Sequence, residues 1–201
     1  MSCQNWVLYL AENKIIVVVG IPGVGKTTLV KKLADIIKAH NKSVNVTNFG
    51  TIMFEVAKEN GLQNRDELRK LPISEQKKLQ KNTAEKLSKI NDDVIIIDTH
   101  AFIRTLEGFN PGLPYHVLQI IEPTHFIIVT AKTEEIYNRR MKDETRSRDK
   151  VSITSIKKEL DIQSAMMSAC AILSGSPLIQ VQNNEGKLEE AANKIIKAIG
   201  V

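Results

Sequence analysis

The sequence predicts an α/β fold in which helices flank a five-stranded, mostly parallel sheet, giving three layers. Five short apolar runs have the length and residue types of buried strands, and segments with helical spacing separate most of them. No hairpin signal is found between the runs, which favours parallel strands joined by right-handed crossovers. A glycine-rich loop directly follows the first run. The 201 residues are enough for one such domain with its own hydrophobic core.

The order of elements follows from these runs and from the turn residues between them. The predicted strands are 14–19, 44–49, 94–98, 125–131 and 177–183. The predicted helices are 27–40, 133–142, 154–173 and 188–199, the last ending at Gly200. Between 52 and 90 lies a charged helical region, interrupted by Gly61 and Pro72, with Ser74 as the expected N-cap of its second helix. Residues 107–115, rich in glycine and proline, are expected to form a loop.

Composition sets limits on location and partners. An apolar fraction of 42% with 25% charged residues is typical of a folded domain. The net charge of +5 permits nucleotides or nucleic acid as partners. Only two cysteines are present, no apolar run approaches the roughly 18 residues that span a bilayer, and the first residues lack a secretory pattern. A cytoplasmic protein without a membrane segment is expected, with residues 1–13 forming an N-terminal extension before a domain at 14–201.

The segment "GIPGVGKTT" has the spacing of a phosphate-binding P-loop, G-x-x-x-x-G-K-[ST]. Its glycines allow backbone N–H groups to surround phosphate oxygens, and the helix that follows adds a partial positive charge. Lys26 is expected to reach the β and γ phosphates of ATP, and the Thr27 hydroxyl to face Mg²⁺. The expected ATP-binding residues are Gly20, Ile21, Pro22, Gly23, Val24, Gly25, Lys26, Thr27 and Thr28.

Asp98 ends the third apolar run, "VIIID". This position places its carboxylate at the carboxyl edge of the sheet, where ligands of open α/β folds bind. Without the P-loop, an acid here would more often cap the next turn. With the P-loop, Asp98 is expected to hold Mg²⁺ together with Thr27, directly or through water.

Arginines outside the P-loop are candidates for contacts with phosphate, because the guanidinium fork matches phosphate oxygens. Arg139, Arg146 and Arg148 lie in "RRMKDETRSRD", which could form a mobile lid or a solvated helix face. Arg65 and Arg69 stand one helical turn apart, with a surface ion pair as the alternative role. Arg104 follows Asp98 by six residues and is expected near the same edge.

The P-loop and the acid after a strand are shared by nucleotide switches, ATP-driven motors and small-molecule kinases. A GTPase needs N-K-x-D for guanine, and "QNNEG" lacks its lysine and aspartate. A motor typically has a second acid to activate water, whereas Thr99 and His100 follow Asp98. A kinase instead needs arginines and a second anionic pocket that exclude water, and these arginines match that need.

Five blocks in this order resemble the archaeal-type adenylate kinase family, from about Lys14 to the C-terminus. The blocks are "GIPGVGKTT", "RDELRKL", "IDTHAFIRT", "PGLP" and "RRMKDETRSRD". The resemblance implies a P-loop kinase with a helical insertion at about 49–90 that binds the acceptor nucleotide and a short lid at about 139–150. It also implies transfer between ATP and AMP with Mg²⁺, in a cytoplasmic enzyme that is commonly a homotrimer.

The resemblance also assigns roles residue by residue. Lys26, Arg104, Arg139, Arg146 and Arg148 would be catalytic, the last three closing on the transferring group. Arg65, Arg69 and Arg104 would bind AMP, and adenine of ATP would lie near Asn183 to Gly186. One departure is "FGTIMFE" after the second strand, which lacks the arginine that many nucleoside monophosphate kinases carry there. Arg65 or Arg69 is expected to serve instead.

Two alternatives stay open at this point. The acceptor could be another nucleoside monophosphate, since the donor residues would be the same. A non-enzymatic P-loop module in which ATP controls RNA binding or assembly is disfavoured, because aromatic residues that stack on bases make up only 4% of the chain.

Overall fold

The structure, a computed structural model, describes residues 13–105, 108–142 and 152–201 and leaves the side chains of Asp66, Arg69 and Lys70 undescribed. Within these ranges the strands and α-helices are numbered in chain order. The strands are β1 (Lys14–Val19), β2 (Val44–Asn48), β3 (Val94–Thr99), β4 (Phe102–Thr105), β5 (Gly108–Pro111), β6 (His125–Thr130) and β7 (Leu178–Gln182). The helices are α1 (Lys26–Ala39), α2 (Phe49–Glu59), α3 (Ile73–Leu87), α4 (Tyr115–Ile121), α5 (Thr133–Lys142), α6 (Ile153–Ser174) and α7 (Leu188–Ile199). A 3-10 helix spans Arg65–Lys70.

Five strands form one parallel sheet in the order β2-β3-β1-β6-β7. β1 lies at its centre, and its β-branched side chains are fully buried from Ile16 to Val19 because both faces of the sheet are covered. Alternate residues enter opposite layers, with Ile16 and Val18 in one core and Val17 and Val19 in the other. The predicted fold class is confirmed, and the five predicted strands differ from the observed ones by at most one residue at either end.

The carboxyl edge of the sheet gathers the ends of β1, β2 and β3. Asp98 on β3 lies opposite Asn48 of β2 on one side and opposite Val18 of β1 on the other. Each of these strands leads directly or almost directly into the loop or helix that carries the candidate site. The sheet therefore fixes the phosphate loop, Asp98 and the start of α2 relative to one another.

The region after β2 is helical, as predicted. α2 and α3 pack together around a small separate core of Val56, Ala57 and Leu79. The expected N-cap Ser74 is wrong, because α3 begins at Ile73 with Pro72 in the N-cap position. Pro72 is extended, with φ of −52° and ψ of 147°, and provides no side-chain cap.

An antiparallel hairpin of β4 and β5 occupies the chain after β3, which contradicts the expectation that 107–115 is a loop and that no hairpin occurs. The rings of Phe102 and Phe109 meet edge to face, 4.9 Å apart, across the two strands. A Cβ at Gly112 would overlap the carbonyl oxygen of His100, so this glycine permits the chain to pass close to the end of β3. The sequence pattern failed here because strands of four residues with internal glycine and proline carry little local propensity.

No helix in the described parts of the chain is long and apolar enough to cross a membrane. The short helix α4, which begins after Pro114, was not predicted either. Its seven residues give too few turns for an apolar period to be recognised.

Candidate functional site

The phosphate loop runs between β1 and α1 and is held by both side chains and backbone. The side chains of Ile21 and Val24 are buried in the core and anchor the loop. Gly23 and Gly25 have φ of +92° and +80°, which glycine adopts without strain. A Cβ at Gly25 would lie 2.5 Å from Nδ2 of Asn183, so this position also lacks space for a side chain. The loop therefore keeps its backbone open at the N-terminus of α1, where an anion is favoured.

The first turn of α1 presents the remaining P-loop residues. Lys26 begins the helix, while Thr27 and Thr28 are exposed. The expected roles of Lys26 at phosphate and of the Thr27 hydroxyl at a hydrated cation stay predictions. Gly20 lies at the loop entrance, where a Cβ would meet the side chain of Val24 at 2.7 Å.

Lys26 and Asp98 form an ion pair between the loop and the end of β3. Their side chains are only 10% and 16% exposed. Burial lowers the pKa of Lys26 to about 8, so the amine is still mostly protonated at neutral pH, and the adjacent carboxylate favours that charged form. The ion pair holds the ammonium of Lys26 and one carboxylate oxygen of Asp98 together at the carboxyl edge of the sheet.

Asn48, which the sequence patterns did not single out, joins Asp98 to the next helix. Its Nδ2 donates to Oδ2 of Asp98 at 3.3 Å, and its Oδ1 accepts from the backbone N–H of Thr51 at 3.0 Å and from its hydroxyl at 3.2 Å. Asn48 is thus the N-cap of α2 as well as a partner of Asp98. An asparagine directly between an apolar strand and a helix, with a threonine three residues on, is the local signal that could have identified it.

Arg65 lies over the first turn of α2. A Cβ at Gly50 would be 2.7 Å from Nη2 of Arg65 and 3.4 Å from Oδ1 of Asn48. The guanidinium therefore adds a full positive charge to the partial charge of the helix N-terminus. This arrangement gives α2 an arginine at its start although the segment "FGTIMFE" has none. The position of the Arg69 side chain is outside the described structure.

Arg104 projects from the hairpin and lines a cavity of about 220 Å³ with residues of α6. The other lining residues are Thr105, Gly108, Phe109, Ser155, Lys158 and Glu159. Within the described residues no hydrogen bond or ion pair joins Arg104 to the pair of Lys26 and Asp98. Glu159, however, also bonds Arg140, and Arg140 contacts the phosphate loop. The Arg104 cavity thus borders the residues that surround the donor loop.

Arg139 contacts the outer side of the phosphate loop. Its Nη1 donates to the carbonyl oxygen of Gly23 at 3.3 Å, and both terminal nitrogens donate to that of Asn183 at 3.2 Å. Glu135 pairs with the same guanidinium at 3.1 Å and accepts from the N–H of Glu185 at 2.8 Å. Hydrogen bonds from Arg139 and to Glu135 therefore hold the segment after β7 beside the phosphate loop. Arg146 and Arg148 lie outside the described residues.

The side chains of Asp98 and Thr27 are suited to a Mg²⁺ ion that binds together with a nucleotide. No three His, Cys, Asp or Glu side chains of the described residues gather into a metal cage. Mg²⁺ needs none, because it keeps several waters and takes one or two carboxylates plus substrate phosphates. Oδ1 of Asp98 is buried and, apart from the ion pair with Lys26, has no hydrogen-bond partner among the described residues. Asp98 and Thr27 are thus suitable groups for holding such an ion.

A parallel sheet with a P-loop on its central strand, beside a second cationic pocket, defines a small-molecule kinase of the P-loop class. Solved structures with the same fold include shikimate kinase from Bacteroides thetaiotaomicron, with a TM-score of 0.56 and 11% identity over 92% of this chain and 98% of that chain. Shikimate kinase from Acinetobacter baumannii in complex with shikimate gives a TM-score of 0.54 at 14% identity, covering 94% of both chains. These similarities concern the fold alone.

Sequence comparisons identify the family to which the chain belongs within this class. A family model described as an AAA domain matches residues 19–157. The adenylate kinase of Methanocaldococcus jannaschii is 39% identical over 190 residues, covering 94% of this chain and 99% of that protein. The adenylate kinase of Thermoplasma acidophilum is 42% identical over 186 residues, covering 92% and 98%. The chain belongs to the archaeal adenylate kinase family, within the P-loop group that the AAA domain model describes.

Proposed function

We propose that this protein is a magnesium-dependent adenylate kinase that interconverts ATP plus AMP and two ADP. One structural observation supports the proposal in addition to family membership. The carboxylate of Asp98 contacts Lys26 of the phosphate loop through one oxygen and Asn48, the N-cap of α2, through the other. The phosphate loop and the N-terminus of α2 thus meet at one carboxylate that is 16% exposed, which supports two phosphate-binding places close together.

On the donor side, residues Gly20 to Thr28 bind the ATP phosphates. Lys26 places its charge at the β and γ phosphates, and the segment from Asn183 to Gly186 lies beside the adenine. Thr27 and Asp98 would hold Mg²⁺. When bound, Mg²⁺ supplies positive charge that offsets the charge of the phosphate oxygens.

On the acceptor side, the AMP phosphate binds at the N-terminus of α2 under Arg65. Arg69 is proposed to assist it from the same 3-10 helix, and Arg104 from the hairpin. The insertion at about 49–90 is accordingly the acceptor-binding unit. The small core that α2 and α3 share would let this unit close on AMP as one body.

In the reaction, an oxygen of the AMP phosphate forms a bond to the γ-phosphorus of ATP while the bond from that phosphorus to the β–γ bridging oxygen breaks. No side chain becomes covalently attached. Lys26 and the arginines stabilise the charge on the transferring group, and positioning supplies the remainder of the rate enhancement. Arg146 and Arg148, in the proposed lid at 139–150, would complete this shell and exclude water. Arg139 is proposed to join them, for which its guanidinium would have to leave the carbonyl oxygens of Gly23 and Asn183.

Product analysis tests the proposal. Purified protein is incubated with ATP, Mg²⁺ and each nucleoside monophosphate in turn, with Lys26→Ala protein as the control for contaminating kinases. ADP formed with AMP and absent in the variant is the expected result. Preference for another monophosphate would leave the donor site intact and overturn the acceptor assignment. ATP binding without transfer to any monophosphate would favour an assembly or RNA-binding role.

Substitution of Arg65 tests the acceptor site. Arg65→Met is expected to raise KM for AMP by about tenfold or more while KM for ATP changes less than twofold, because a charge-assisted phosphate contact contributes about 1.5–3 kcal/mol. Steady-state kinetics with one nucleotide varied at a time measure this split. Lys78→Met is the matched control, since it removes an exposed cation from α3. An unchanged KM for AMP would remove Arg65 from the acceptor site.

We further propose that the protein forms a homotrimer, as the family resemblance implies. Support comes from the exposed apolar side chains near the end of α6, Ile172 at 82% and Leu173 at 58% exposed. Light scattering should then give about three times the chain mass of 22.5 kDa. Ile172→Glu is expected to lower the mass toward that of one chain if α6 forms the interface. A single-chain mass for the unmodified protein would contradict the trimer.

A cytoplasmic location is proposed as well. It is supported by the low cysteine content and by Cys170, which is buried and free. Cys3 lies outside the described residues. Cell fractionation followed by detection of the chain would test the location.

A further inference from the structure

We propose that Arg140 is a positioning residue for the donor site: with Asn183, it holds the outer side of the phosphate loop so that the loop's N–H groups face the nucleotide. Arg140 is the neighbour of the expected lid residue Arg139 and has no role in the phosphoryl transfer described above. The proposal rests on the proposed function only in taking ATP as the ligand of the loop.

Four successive carbonyl groups of the loop accept hydrogen bonds from outside it. The carbonyl oxygen of Pro22 accepts from Nε of Arg140 at 2.7 Å, and that of Gly23 accepts from Arg139 at 3.3 Å. Those of Val24 and Gly25 accept from the same Nδ2 of Asn183 at 3.0 and 3.3 Å. Every peptide from 22 to 25 therefore has its oxygen fixed by a side chain of α5 or of the segment after β7.

These bonds determine the direction of the N–H groups. In a planar trans peptide the C=O and the following N–H point in opposite directions. Fixing the carbonyl of Pro22 toward Arg140 thus turns the N–H of Gly23 away from Arg140, and the N–H groups of Gly25 and Lys26 are directed in the same way. The N–H of Val24 instead donates to the carbonyl oxygen of Ile21 at 3.4 Å, within the loop. A loop whose N–H groups are already oriented loses less free energy when phosphate binds than one that must reorient.

Arg140 is itself rigidly held. It is 8% exposed, and its Nη2 forms an ion pair with Oε2 of Glu159 at 2.7 Å. α5 carries Arg140 near its end, and α6 carries Glu159 near its beginning. The planar guanidinium can bond Pro22 through Nε and Glu159 through Nη2 at once, whereas a lysine amine has no such fork. The geometry therefore requires arginine specifically.

A simpler role for Arg140 would be to tie α5 to α6 through the ion pair. That role predicts a loss of stability on substitution without a selective effect on nucleotide binding. The contact with Pro22 predicts a selective effect, because this contact acts on the loop and not on the helices. The two roles therefore differ in a measurable quantity.

The test compares equilibrium binding of ATP and of AMP by calorimetry in four variants. Arg140→Lys removes the fork, and Arg140→Met with Glu159→Met removes both charges together. The double variant is chosen because replacing a buried ion pair by apolar side chains is often neutral for folding, whereas removing one partner is costly. Glu159→Gln removes the charge of the ion-pair partner and leaves the bond from Arg140 to Pro22 in place. Lys157→Met, an exposed cation on α6, is the matched control.

Arg140→Lys and the double variant are expected to raise Kd for ATP about tenfold and to leave Kd for AMP within twofold. Lys157→Met should bind both nucleotides like the parent. Glu159→Gln, which weakens the hold on Arg140 but leaves its bond to Pro22, should raise Kd for ATP by less than Arg140→Lys does. The same selectivity should appear as a rise in KM for ATP without a rise in KM for AMP.

Two results would overturn the proposal. One is unchanged ATP affinity in Arg140→Lys and in the double variant, with only a lower melting temperature. The other is an equal loss of ATP and AMP affinity, which would indicate general disruption. Binding needs no turnover, so absence of transfer by the parent protein would refute the proposed function and leave this comparison valid.

Discussion

Lys26→Ala is expected to lower kcat by at least a hundredfold, the largest loss of any single substitution in the site. Removal of one preorganised donor of positive charge from a transferring group costs about 3 kcal/mol or more. Lys26 begins α1 directly after the phosphate loop, and its ammonium reaches the buried edge of the sheet at Asp98. Charge at this place is least screened by water, so its loss has the largest effect.

The measurement is kcat from ADP formation at saturating ATP and AMP, with Lys31→Ala as the control on the exposed side of the same helix. The melting temperature is recorded in parallel, because Lys26→Ala leaves the carboxylate of Asp98 without its ion-pair partner. A folded variant that turns over within tenfold of the parent would refute the proposed role of Lys26.

The sheet and the donor loop could be predicted from the sequence because their signals are local. "KIIVVV" has enough β-branched residues in a row to indicate a strand buried on both faces, and the P-loop spacing follows it directly. The predicted bounds of β1, α5 and α7 agree with the observed ones to the residue. These bounds are confirmed, whereas the N-cap predicted at Ser74 from an equally local pattern is wrong.

The remaining features depend on residues far apart in the chain. Arg65 lies beside Gly50, although most of α2 separates them in the chain. Asn183 bonds the carbonyl oxygen of Gly25, although most of the sequence lies between them. The hairpin of β4 and β5 is an exception, because its residues are close in the chain but its four-residue strands carry too weak a local signal to be recognised. Residue type suggested that the arginines bind phosphate, but only the fold shows which of them lie at α2 and which at the donor loop.

The contacts of Asp98 also connect the two halves of the site. A change at Lys26 or in bound phosphate alters the charge beside one carboxylate oxygen, and the other oxygen bonds the N-cap of the acceptor helix. Asn48 therefore links the end of β3 to the first turn of α2. Asn48→Ser would keep a capping oxygen for Thr51 and lose the bond to Asp98, which separates these two roles.

Asp98→Asn is expected to lower kcat on the order of a hundredfold and to raise the Mg²⁺ concentration that gives half-maximal rate. The amide keeps the shape of the carboxylate and can still accept from Asn48, but it supplies no charge for a metal ion or for Lys26. Charge stabilisation by a bound metal ion is worth several kcal/mol, so about 3 kcal/mol of this is expected to be lost. Initial rates against Mg²⁺ at fixed ATP measure the shift, with Asp161→Asn on the exposed face of α6 as the control.

The pH profile of the same variant gives a second, independent reading. Burial already lowers the pKa of Lys26 to about 8, and removal of the adjacent carboxylate lowers that pKa further. Because only protonated Lys26 stabilises the transferring group, kcat/KM for ATP, which reports ionisation of the free enzyme, is expected to fall at a lower pH in Asp98→Asn than in the parent as pH rises. A pH shift without a change in Mg²⁺ dependence would assign Asp98 to Lys26 alone. An unchanged profile in both measurements would remove Asp98 from the reaction.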